Sequence, residues 1–146
     1  MRTFIASAVA SFAVIACSSS AGEGEACDVV GTYVTTDAKQ SGSCPDVGSQ
    51  PTTWTISSDG AGGYVVETAG IKGGCTAQPV NACKVQGKCD VIVADPIDPA
   101  KNQGTIQYSW TFKDGGFTGS TVIFAPASAA LKDGCSSEYV STGVRR

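Results

Sequence analysis

The sequence predicts an all-β domain, built as a small antiparallel up-and-down barrel or meander of seven to eight strands with one short helix. Three observations predict it. The 146 residues hold 18 glycines but one methionine (Met1) and one leucine (Leu131), so turn formers abound while two strong helix formers are almost absent. Runs rich in Val, Ile, Thr and aromatics recur at about 8–12-residue spacing between turn signals. Residues 105–112, TIQYSWTF, alternate strictly and are followed by Asp114-Gly115-Gly116, a half-buried strand entering a hairpin.

The elements follow in order. Residues 28–36, DVVGTYVTT, read as the first strand, and 38–51 as a polar loop. Residues 52–57, TTWTIS, put Trp54 and Ile56 on one face; Asp59-Gly60 and Gly62-Gly63 turn the chain into YVVET, 64–68. A short strand near 80–85 and another over 89–94 are expected to pair across Gln86-Gly87. Asp95-Pro96-Ile97-Asp98-Pro99 interrupts regular structure, because each proline restricts the residue before it. In the strand 105–112, Ile106, Tyr108, Trp110 and Phe112 share a face, and 117–124 returns as its partner. Residues 125–134 form the one plausible helix, and 136–144 a closing strand. A closed meander pairs this strand with the first and removes the exposed edges that invite aggregation.

Seven cysteines are present. Setting Cys17 aside leaves Cys27, Cys44, Cys75, Cys83, Cys89 and Cys135, an even number in a small domain. This reads as a framework of up to three disulfides, with connectivity left open. A structural zinc site is the alternative, but no C-x-x-C occurs and the chain has no histidine.

The N-terminus explains the odd cysteine. Arg2 precedes an apolar stretch over residues 4–15, shorter than the roughly 20 residues a membrane-spanning helix needs. It ends in Val14-Ile15-Ala16-Cys17, which resembles the lipobox of bacterial lipoprotein signal peptides. The resemblance implies cleavage after Ala16, a diacylglyceryl group on the Cys17 thiol and acylation of the freed amine, a stable anchor with two or more chains. The competing reading is an ordinary secretory peptide cleaved without lipid. Residues 18–26, SSSAGEGEA, form a flexible tether. The organisation expected is thus a signal peptide over 1–16, a lipidated cysteine and tether over 17–26, and one β-domain over 27–146. Ser18 after Cys17, rather than Asp, implies outer-membrane placement by similarity to Gram-negative sorting rules.

Losing Arg2 leaves 9 basic against 13 acidic residues, a charge of −4. With no basic cluster beyond Arg145-Arg146, nucleic acid is not an expected partner. The absence of histidine removes the commonest general base and all His-dependent triads, and no nucleotide-binding glycine motif appears. Catalysis and cofactors are therefore not expected. Asp95 and Asp98 could ligate Ca²⁺, but Asp and Pro more simply build a solvated turn. Glu67 is expected on the solvent face.

Gly31-Thr32-Tyr33 is similar to the G-x-W that opens lipocalins, with Tyr for Trp. Arg145 or Arg146 resembles the arginine that packs on that ring, and residues 105–123 look like a late hairpin of a calycin-type barrel such as lipocalins or avidins. The lipocalin resemblance implies a cavity for a small apolar ligand, which Trp54, Tyr108, Trp110 and Phe112 could line; otherwise these rings are core. Biotin binding is not implied, because the avidin ligand residues are not matched. Three readings follow. The first is a lipid-anchored envelope protein with a non-catalytic role toward a protein or glycan. The second is a lipocalin-like carrier of an apolar molecule, and the third, least supported, is a hydrolase using carboxylates.

Overall fold

A computed structural model describes residues 27–45, 50–69, 71, 74–92, 103–127 and 131–146. Eight strands run in chain order: β1 (Gly31–Gly42), β2 (Thr52–Ser58), β3 (Tyr64–Thr68), β4 (Cys75–Asn81), β5 (Lys84–Ile92), β6 (Gln103–Lys113), β7 (Gly116–Ala125) and β8 (Cys135–Arg145). Each pairs antiparallel with its neighbour, and β8 returns to β1, closing the barrel. The up-and-down order is that of calycin-type barrels. Closure leaves no open edge.

The two ends differ. Residues 59–63, 82–83 and 114–115 connect the strands at one end, while 43–51, 69–74, 93–102 and 126–134 connect them at the other. We call the first the narrow end and the second the wide end. At the narrow end Asp114 and Gly115 both have positive φ, 52° and 73°, the geometry of a two-residue hairpin turn whose twist matches its strands. Asp59 Oδ1 accepts from the amides of Ala61 and Gly63, each at 2.8 Å, and so shapes the β2–β3 turn.

Several elements depart from the sequence reading. β1 begins at Gly31 and runs through Ala38 to Gly42, into what reads as a polar loop, because its register with β8 continues to Gly42↔Ser137 past an irregularity at Lys39/Ser41. Its polar residues face either solvent or the wide end. The middle hairpin turns at Ala82-Cys83, not at Gln86-Gly87, which lie mid-strand in β5. Pro79 and Val80 belong to β4; the ladder shifts register between Pro79 and Asn81, where a missing amide is tolerated. No helix occurs among the described residues: Ala125 ends β7, and Lys132-Asp133 form a turn before β8. β7 pairs with β8 as far as Ala125↔Cys135, which takes the first residue of the expected helix into the sheet. The D-P-I-D-P segment lies outside the described residues, as do residues 1–26.

All six remaining cysteines pair: Cys27–Cys83, Cys44–Cys135 and Cys75–Cys89. The first ties the segment before β1 to the β4–β5 turn at the narrow end. The second staples β1 to β8 at the wide end, across the seam that closes the barrel. The third links β4 to β5 inside the core, where both residues are buried.

Candidate functional site

The barrel interior has two zones. Toward the narrow end the inward side chains are rings. Trp110 stacks on Tyr108 and on Phe117, each with centroids 4.4 Å apart, and meets Trp54 edge-on at 5.4 Å. Tyr33 packs edge-on against Phe112 at 5.6 Å and Phe117 at 5.4 Å. All six belong to one buried core. The sequence singled out Trp54, Tyr108, Trp110 and Phe112, and the structure brings these four together. Trp54, Tyr108 and Trp110 contact one another, and Phe112 joins them through Phe117 from β7 and Tyr33 from β1.

A packing rule makes room for these rings. Trp110 lies across the ladder from Gly119, Tyr108 from Gly87, and Phe117 from Gly143. A Cβ on Gly87 would come within 2.3 Å of the Tyr108 ring, and one on Gly143 within 2.1 Å of the Phe117 ring. Tyr108 and Phe117 therefore lie over glycines of the neighbouring strands, while a Cβ on Gly119 would meet the β6 backbone at Ser109 O, 2.0 Å away; small residues beside large ones are how a barrel holds rings on adjacent strands. The polar tips are satisfied as burial requires. Tyr108 Oη donates to Thr76 O at 3.1 Å and Trp54 Nε1 to Thr52 Oγ1 at 3.1 Å. Burial pushes the Tyr108 phenol well above its ordinary range.

Arg145, not Arg146, is the basic residue that closes the narrow end. Its guanidinium lies over Gly31, where a Cβ would meet Nε at 2.8 Å. It bonds the Asp28 carboxylate and the Val30 carbonyl. Its hydrogen bond to Asp28 is the main cause holding that carboxyl below the usual range. Tyr33 Oη is placed 3.0 Å from both the Asp28 and Val29 carbonyls, which accept from it. Together with Cys27–Cys83 these contacts fasten the entering chain to this end.

Toward the wide end the inward residues of β1, β7 and β8 turn short and polar, while Cys75, Cys89 and Val91 keep the β4–β5 side apolar. Ser137, Ser141, Thr121 and Thr35 are all buried. Asp37 and Lys39 follow Thr35 along β1 and keep part of their surface exposed, so solvent enters here. Lys39 Nζ donates to Cys44 O at 2.6 Å, and the Cys44 amide donates to Ser137 Oγ at 3.0 Å. These contacts brace the rim beside the Cys44–Cys135 bridge. Sequence reasoning missed this zone. The alternating C-x-S-x-Y-x-S of residues 135–141 carries it, but alternation alone does not tell a polar inner face from a solvent face.

Glu67 is exposed on the outer face of β3, as expected. Among the described residues no group of three or more His, Cys, Asp or Glu could hold a metal ion, and no helix is long and apolar enough to cross a membrane.

The fold and its bridges thus define a disulfide-bonded, closed eight-stranded meander barrel with an aromatic floor and a polar mouth. No family model, curated protein or solved structure matches the chain.

Proposed function

We propose that this chain is an exported, lipid-anchored protein of the bacterial cell envelope, placed in the outer membrane, that acts by binding at the wide end of its barrel and not by catalysis. The observation that carries the reading is the cysteine inventory. Six of the seven cysteines form three bridges, the pattern of an oxidising, extracytoplasmic compartment. The seventh, Cys17, stands where the Val14-Ile15-Ala16-Cys17 resemblance puts an acylated residue.

The architecture suits such an anchor. The tether over 17–26 would join the barrel at Cys27, which the Cys83 bridge and the Arg145–Asp28 pair hold to the narrow end. Ten tether residues reach at most about 33 Å when extended, so the narrow end would face the bilayer and the wide end would point away from it. The binding role is drawn to that end because its mouth is polar and solvent-accessible. Rings stacked on rings leave the aromatic floor poorly suited to an apolar cargo, which favours a binding role at the mouth over the carrier reading.

Mass spectrometry of the membrane fraction tests the anchor. The mature N-terminal peptide should begin at Cys17 and carry acyl chains, and a Cys17→Ser variant should lose membrane association. Recovery of unmodified mature protein from the soluble fraction refutes it.

A further inference from the structure

Inside the wide half of the barrel a chain of hydrogen bonds ends on a carboxylate. Trp110 Nε1 donates to Thr121 Oγ1 at 3.2 Å, the Thr121 and Ser141 hydroxyls lie 2.7 Å apart, and Ser141 Oγ donates to Asp37 Oδ1. An indole N–H can only donate and a carboxylate can only accept. The hydroxyls are therefore forced into one direction, Thr121 giving its proton to Ser141, and every donor in the chain is spent.

Two acceptors next to this chain are not served. Among the described residues the ion pairs are Arg145–Asp28 and Lys113–Asp114, so Asp37 has no counter-ion; Lys39 turns its ammonium to the Cys44 carbonyl instead. Asp37 Oδ2 receives no donor from the described residues. One pleat nearer the rings on the same inward face of β1, Thr35 is 1% exposed and its Oγ1 has no partner. A buried hydroxyl without a partner is costly for a folded protein, and the partly exposed carboxylate beside it is open to a cation. A group that donates several hydrogen bonds and carries positive charge would answer both.

We propose that the wide end binds a small organic amine, whose ammonium group donates to Asp37 and to Thr35 Oγ1. An ammonium fits because it has three donors and no acceptor, and the Asp37 carboxylate would repel an anion. A water molecule could occupy the same place but would leave the carboxylate uncompensated. The inference takes the mouth as the binding face and does not depend on acylation. Failure of the anchor test leaves it standing, and the converse also holds.

The test uses the full-length protein in detergent micelles and follows tryptophan emission, since Trp110 begins the chain. Butylammonium, butanol and butyrate are titrated separately. Butylammonium alone should give a saturable change. Asp37→Asn, which still accepts from Ser141, should weaken it about tenfold, the loss of a charge-assisted hydrogen bond. Thr35→Val should weaken it roughly threefold or more without lowering the urea midpoint of the free protein, because the hydroxyl it removes has no partner. Should Asp37→Asn lack the near-ultraviolet dichroism of the folded protein, Thr35→Val decides alone. Absence of a saturable response in the wild type, an equal response to butanol, or an undiminished response in the folded variants overturns the proposal.

Discussion

Replacing Gly143 with alanine is a sharp test of how this barrel is packed. The new methyl carbon would stand 2.1 Å from Phe117 Cε1 and 2.5 Å from Cδ1 and Cζ, where carbon atoms at rest keep about 3.5–4.0 Å. The ring would have to move by more than about 1 Å, yet it is wedged. Trp110 stacks on it at 4.4 Å, and Tyr33 and Phe112 meet it at 5.4 and 5.3 Å. Overpacking of this kind costs about 1–3 kcal/mol and sometimes more. Against it stands a gain of roughly 0.5–1 kcal/mol, because alanine loses less backbone freedom than glycine in a strand. A 2.1 Å approach calls for the upper part of that overpacking range, about 2–3 kcal/mol, so after the gain is subtracted Gly143→Ala should lose about 1–2.5 kcal/mol. Urea unfolding with the disulfides intact, followed by tryptophan emission, reads the shift in midpoint. A second variant isolates the cause. Phe117→Leu alone should destabilise, but Gly143→Ala should cost less in the Phe117→Leu background than in the wild type, since the two changes share one contact. A Gly143→Ala protein as stable as the wild type, or strict additivity in the double variant, would refute the ring-over-glycine account.

Further expectations follow from other parts of the molecule. Removing the Cys44–Cys135 bridge by paired alanines should cost about 4–5 kcal/mol and removing Cys75–Cys89 about 3 kcal/mol on the loop-entropy model, since their separations are 91 and 14 residues; guanidinium unfolding giving the reverse order would contradict the seam's role. Ser141→Ala interrupts the chain from Trp110 to Asp37 and leaves the buried Thr121 hydroxyl without its acceptor, so it should lose about 1–3 kcal/mol, readable by the same urea assay. At high pH the raised phenol of Tyr108, desolvated by burial, holds its proton more tightly folded than unfolded. The stability it contributes is complete below the ordinary value of 10.0 and lost progressively above it. Thermal melts across this range should fall faster in the wild type than in Tyr108→Phe. At low pH, Asp28 has its carboxyl lowered chiefly by the Arg145 hydrogen bond, so its contribution is present above 3.8 and lost as pH falls below it. Asp28→Asn should flatten that part of the acid profile.

Much of the fold was legible in the chain. β6 and β7 were readable because Ile106, Tyr108, Trp110 and Phe112 alternate with polar residues and Asp114-Gly115 follows them. β3 was readable because Tyr64–Thr68 is short, β-branched and bounded by glycines. The middle hairpin was misread because Gln86-Gly87 looks like a turn in isolation, whereas Gly87 is a glycine in mid-strand beneath Tyr108. The segment 125–134 looked helical because alanine favours helix locally, and nothing in it announces that Ala125 pairs with Cys135. The polar mouth was not legible at all. Asp37, Ser141 and Thr121 come from three strands and lie up to 104 residues apart in hydrogen-bonded pairs.

The sequence by itself determined the class of strand-built domain, two of the three turns at its narrow end and the number of cysteines free to bridge, because these depend on local propensity, period-two patterning and counting. Only the tertiary structure decided which cysteines pair, that β8 closes on β1, which glycines lie under rings, and which polar side chains turn inward. Those outcomes depend on register between strands distant in the chain, and register is set by the collective fit of the whole barrel.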